Sequence, residues 1–160
     1  MARHIEIILE KRNVRCVAML LEDKAPRTCE AVWAALPQQG DVYHAKYASN
    51  EIYALVPPFT EEIGWENRSV TPAAGDVCYF HFSAGMSRPR EAVAAGIDGP
   101  FVDLAVFYDR DNLLLSPKEG FTPANVYATI VENLDGIREA GNDIWRTGFA
   151  GERLVYRRME

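Results

Sequence analysis

The chain has 160 residues, 48% hydrophobic and 25% charged, with 11 glycines and 9 prolines, which describes one globular domain over 1–160 and excludes disordered and collagen-like classes. Seventeen Lys+Arg against twenty-three Asp+Glu leave a net charge of -6, the wrong sign for a surface that must neutralise phosphates, so neither nucleic acid nor an anionic membrane is an expected partner. Cys16, Cys29 and Cys78 form no C-x-x-C pair and suit neither a disulfide framework nor a zinc site. With no leader-like N-terminus and no apolar run near the ~20 residues of a membrane span, they point to a soluble cytoplasmic protein.

Taken in chain order, residues 4–10 alternate His4, Glu6 and Glu10 with Ile5, Ile7 and Leu9, the period-2 pattern of a strand with one wet face. The polar turn Lys11-Arg12-Asn13 leads into the nearly continuous apolar run 14–21, a second strand folded back on the first. Pro26, just after an acidic segment, marks a helix start, and Cys29, Val32, Trp33 and Leu36 form one apolar stripe before Pro37 and Gly40 end it. Residues 41–47 and 51–56 read as a hairpin with a polar tip at Ala48-Ser49-Asn50. The 57–72 segment reads as a long surface loop, a length that hints at function.

Residues 77–82 and 101–108 carry the β-branched and aromatic content of central strands, with 83–100 a mobile connection between them. After the turn at 109–112, residues 113–115 predict a short strand paired with the preceding run. Thr122-Pro123 predicts a helix start, with Val126, Ile130, Leu134 and Ile137 at helical spacing. Residues 152–159 close the chain as a strand with Leu154 and Tyr156 on one face. About eight strands and two helices, in the order ββα and then mostly β, predict a mainly β fold: a small closed or nearly closed β-barrel capped by two helices.

The run Asp23-Lys24-Ala25-Pro26-Arg27-Thr28-Cys29-Glu30 resembles the strand-to-helix junction of the cyclophilin superfamily, which carries Asp-Lys-x-Pro-(Lys/Arg)-Thr-x-Glu. Residues 75–80, 110–112 and 125–132 are similar to a bacterial family of unknown function with a cyclophilin-like fold. The resemblance implies an eight-stranded barrel with two capping helices and no established activity. In prolyl isomerases an aromatic-His-Arg triplet supplies the arginine that stabilises the twisted amide, whereas the run here is Tyr43-His44-Ala45, and the family's Gln-Gly-Gly-Asp is replaced by Ser49-Asn50-Glu51-Ile52. An ammonium at Lys46 does not reproduce a planar fork of donors, so isomerase activity is disfavoured.

Tyr43, His44, Lys46, Asn50, Glu51 and Tyr53 cluster around one hairpin, a donor-rich and amphipathic spot suited to a carboxylate or amide. The alternative is a solvated edge hairpin. His81 lies on a barrel strand, where a core histidine is the simpler reading. Tyr108, Arg110 and Asn112 end the aromatic strand and the turn after it, and Arg110 suits bidentate carboxylate recognition, while the turn alone would explain Asn112. No metal-ligand spacing, phosphate loop or nucleophile motif occurs, so no metal, cofactor or catalytic residue is assigned. The resulting expectation is a domain that binds a small polar molecule or a peptide at a barrel rim formed by 43–53 and 110–112. The rivals are an enzyme, acting on prolyl peptides or a small carboxylate or amide, and an assembly role in a homo-oligomer.

Overall fold

The structure is a computed structural model that describes residues 1–83, 89–148 and 151–160. The chain opens with the expected hairpin, β1 (His4–Leu9) and β2 (Val14–Leu20), in which Ile7 lies opposite Cys16. The turn between them is held from far along the chain: the buried Glu152 carboxylate accepts the backbone N–H groups of Lys11 and Arg12 at 2.8 and 2.9 Å. Helix α1 (Pro26–Ala35) follows, then β3 (Gln38–Asp41), β4 (Tyr43–His44) and β5 (Glu51–Val56). The remaining elements are β6 (Arg68–Ser69), β7 (Asp76–Phe82), α2 (Arg90–Ala94), β8 (Phe101–Phe107), β9 (Leu115–Ser116), β10 (Gly120–Phe121), β11 (Ala124–Glu132), α3 (Leu134–Thr147) and β12 (Arg153–Arg158).

The main sheet runs β3-β12-β1-β2-β11-β7-β8-β5-β4, with every pairing antiparallel. Its two edges are one stretch of chain: β3 pairs with β12, and two residues later β4 pairs with β5. Changing partners at Val42 therefore wraps the sheet into a barrel, which removes the exposed edges of an open sheet. Gly40 sits at this closure because a Cβ there would lie 3.2 Å from Ala54 Cβ and from the Leu55 carbonyl.

Period-2 alternation sends one set of side chains inward. Ile5, Ile7, Leu9, Ala18, Leu20, Ile52, Val77, Leu104, Tyr127, Leu154 and Tyr156 fill the interior with almost no exposure, each large aliphatic contributing about 1.5–3 kcal/mol of burial. Helix α1 adds Cys29 and Val32 to this core at the end where β2 leaves the barrel. Helix α3 adds Ile137, Ala140 and Ile144 at the other, where Asn133 anchors it by donating to the Arg15 carbonyl at 2.8 Å. These side chains pack the barrel interior.

Several expectations change, among them the 57–72 loop, which contains the two-residue strand β6. The segment 124–132 is a strand, and the helix begins only at Leu134. Val126 and Ile130 match helical spacing, but Val126, Ala128 and Ile130 also alternate, and tertiary pairing with β2 and β7 decides for the strand. Asn133, at φ +62°, makes the break, and its side chain accepts the Gly136 N–H. The short strand near 113–115 pairs with β10 rather than with the preceding run, making a separate two-stranded flap. Gly40, expected beyond the helix in a closing turn, lies within β3. Of the 83–100 connection, 84–88 lie outside the described residues, and 90–94 form α2.

Candidate functional site

Strand β8 is buried along its whole length because both of its faces are covered. Val102, Leu104 and Val106 point into the barrel, while Phe101, Asp103, Ala105 and Phe107 belong to the outer face. Over that outer face lie the 45–50 segment, the β9–β10 flap and α2, and between them opens a cleft of about 440 Å³. Its apolar wall is Phe80, Phe82 and Phe101, with Phe82 stacked between the other two at centroid distances of 5.9 and 4.8 Å.

Two acids reach into this apolar surround. Glu51 is 5% exposed and Asp103 is 8% exposed. The register places Tyr53 opposite Ala105 and Leu55 opposite Asp103, so Glu51, Tyr53 and Leu55 share the outer face with Asp103. Asp103 Oδ1 is buried without a hydrogen-bond partner, and among the described residues neither acid forms an ion pair. Burial pushes the Glu51 carboxyl up to about 8, and burial together with the Glu51 charge pushes Asp103 well above the carboxylate range. The Tyr53 phenol is raised by burial and then by Asp103, Glu91 and Glu51. Lys46, Arg90 and Lys118 line the mouth and are exposed.

Of the residues singled out in the sequence, Lys46, Glu51 and Tyr53 line this cleft. Tyr43 packs on Tyr53 at 5.9 Å and lines a second cleft of about 330 Å³ with Gln39, Asp41 and Arg153. His44 donates from Nδ1 to the Ala45 carbonyl at 2.8 Å, and its Nε2 accepts the Tyr108 hydroxyl at 2.5 Å, which leaves both nitrogens engaged. Burial lowers its pKa, against the pull of the Ala45 carbonyl. Asn50 and Asn112 are joined to each other: Asn112 accepts the Asn50 N–H at 3.0 Å and donates to the Pro72 and Asp109 carbonyls. Arg110 is exposed beside Asp111, and His81 is half-buried with Nδ1 unpartnered. Asp103, Phe80 and Phe82 were missed. The available signal for Asp103 was a single acid inside the otherwise apolar run 101–108.

This is a cyclophilin-like barrel: a closed antiparallel sheet with a helix over each end and its concave surface outside. The chain belongs to the family described as "Protein of unknown function (DUF3830)", whose model matches residues 7–156. It is similar in structure to McbB, solved in complex with tryptophan, at 21% identity and a TM-score of 0.65, over 96% of this chain and 44% of that one. The chain thus spans less than half the length of that neighbour. A hypothetical protein from Archaeoglobus fulgidus has 20% identity and a TM-score of 0.49, over 99% and 95% of the two chains. A Cryptosporidium parvum cyclophilin-type peptidyl-prolyl cis-trans isomerase has 9% identity and a TM-score of 0.49, over 100% and 99%. No curated protein matches the chain significantly. Among the described residues, no helix is long and apolar enough to cross a membrane and no cluster of His, Cys, Asp and Glu could hold a metal ion.

Proposed function

We propose that the domain binds a small molecule with an apolar, aromatic body and a polar head in the cleft between β5, β7, β8 and the β9–β10 flap. The observation that carries this reading is the buried, unpartnered Asp103 oxygen in a cleft whose wall is three phenylalanines. A lone buried carboxyl oxygen costs free energy, and a ligand that satisfies it recovers that cost. The rim of Lys46, Arg90 and Lys118 suits a carboxylate at the ligand's outer end. McbB, of like fold and solved with an aromatic amino acid, supports a ligand of that size. The small molecule is favoured over a peptide because the flap and α2 wall the cleft on two sides. Three buried, unpaired cysteines fit a reducing cytoplasm.

A second reading, an enzyme acting on a small carboxylate or amide, rests on the same two acids, whose raised pKa values suit proton transfer near neutral pH. Prolyl isomerisation stays outside the proposal, since the position that the resemblance assigns to arginine is Ala45.

The test is a thermal-shift screen with aromatic carboxylates, amides, alcohols and amines. A ligand at ~100 times its dissociation constant stabilises the fold by about 2.7 kcal/mol. The shift should appear in the natural protein, shrink in Leu115→Trp, which narrows the cleft mouth, and persist in Arg110→Ala, which lies outside the cleft. Equal shifts in all three proteins would place the ligand elsewhere.

A further inference from the structure

We propose that Glu51 and Asp103 form the subsite for one ligand cation, a protonated amine carried on the apolar body that the phenylalanine wall receives. This rests on the cleft being a ligand site and names the chemistry of its inner end. The geometry supports it in three ways. Both carboxyls are more than nine-tenths buried, share the outer face of adjoining strands on either side of the Tyr53–Ala105 pair, and line one cleft with Phe80, Phe82 and Phe101. Asp103 Oδ1 has no hydrogen-bond partner. Among the described residues the cations of the cleft, Lys46, Arg90 and Lys118, are exposed at its mouth, and none of them neutralises the floor.

Two acids so placed cannot both stay charged in an apolar surround, so the unliganded pair retains a proton. An incoming ammonium supplies the counter-charge: the carboxylic O–H gives its proton to solvent, and the carboxylates accept N–H hydrogen bonds from the amine. The aromatic wall favours an organic cation over a hydrated metal ion, because aromatic faces attract cations that shed water easily. The other groups facing the pair set the background: Tyr53 on β5, Cys78 on β7 with Asp76 at that strand's start, Arg90 and Glu91 on α2, Lys46 after β4, and Lys118 and Glu119 on the flap. Of these, Tyr53 and Cys78 are held neutral by burial, which leaves the carboxyl pair as the group that exchanges a proton near neutral pH.

Calorimetric titration of 2-phenylethylamine, 2-phenylethanol and 3-phenylpropionate, at pH 6, 7 and 8 and in two buffers of different ionisation enthalpy, tests this. The amine should bind most tightly, release about one proton, and tighten by up to about tenfold per pH unit from 6 toward 8. Asp103→Asn should cost the amine tenfold or more, flatten its pH dependence and leave the alcohol unchanged. Glu51→Gln should do the same, and the melting temperature of each variant verifies that it is folded. Alcohol or carboxylate binding as tight as that of the amine, with no proton released, overturns the cation subsite and leaves the cleft standing. No binding by any of the three overturns the cleft reading, and the cation subsite with it.

Discussion

Glu66 lies in the 57–67 loop before β6, yet it completes the N-terminus of α1, whose own cap residue, Ala25, makes no side-chain hydrogen bond. Its carboxylate accepts the N–H groups of Arg27 and Thr28 at 3.1 and 2.8 Å and the Thr28 hydroxyl at 2.9 Å. Asn125 locks the arrangement by donating to Thr28 Oγ1 and the Gly64 carbonyl while accepting the Glu66 N–H. Burial pulls the Glu66 carboxyl up, but the bonds from Thr28 and Arg27 prevail and hold it below its ordinary value. Its contribution is therefore present above the unfolded carboxyl's pKa and lost as pH falls through the lower folded value. Glu66→Ala should cost about 1–3 kcal/mol at pH 7, read as a lower urea midpoint, with the deficit shrinking as pH approaches 3. Arg27, Thr28 and Glu66 give the cyclophilin-like junction a structural role: the threonine of the motif is a helix-start donor answered from a distant loop. At the next turn of the chain, Asn112 binds Asn50, Pro72 and Asp109 while buried, whereas the exposed Arg110 guanidinium pairs, among the described residues, only with Asp111. Asn112→Ala should lower stability by about 2 kcal/mol or more, and Arg110→Ala by no more than ~0.5, in the same denaturation experiment.

At the scale of elements, α3 docks where a side chain would otherwise intrude. A Cβ at Gly141 would fall 2.4 Å from the ring of Tyr108, and that ring is held by its hydroxyl's bond to His44. Trp145, one turn further along α3, covers His44 at 5.0 Å. Gly141→Ala should therefore destabilise by about 1–3 kcal/mol despite a helix-propensity gain of about 1 kcal/mol, and a thermal melt would show it. The first hairpin, α1 and the final strand were legible because their patterns contain one period. The β11–α3 junction was not, since residues 126–137 satisfy two periods at once and only the partners β2 and β7 choose between them. The flap was misread for a related reason: β9 and β10 are two residues each, too short to carry a pattern.

For the whole molecule, two groups of carboxyls oppose each other as pH changes. Glu6, held down chiefly by its hydrogen bond from Arg157, and Glu22, by the Arg3 N–H, join Glu66 in giving stability that is lost in acid. Glu51 and Asp103 have folded values raised by burial, so their contribution is fully present below the unfolded carboxyl range and lost as pH rises through about 8. The unliganded protein should thus melt at a lower temperature at pH 8.5 than at pH 6, by up to about 1.4 kcal/mol per pH unit for each proton involved. Asp103→Asn should raise the melting temperature at pH 8.5 and flatten the profile, and an unchanged profile would mean the pair is already ionised in the folded state at pH 6.

The sequence alone pointed to a mainly β barrel, because alternation of apolar and polar residues in 4–10 and 152–159 and the β-branched and aromatic runs between them are local properties that need no partner to be read. It also brought Lys46, Glu51 and Tyr53 together, since a hairpin keeps near neighbours near. Only the tertiary structure decided that the cleft lies outside the barrel, and that Asp103 lines it from a strand about fifty residues away. Burial and electrostatic coupling belong to the register of β5 against β8, and no local pattern records which strands will lie side by side.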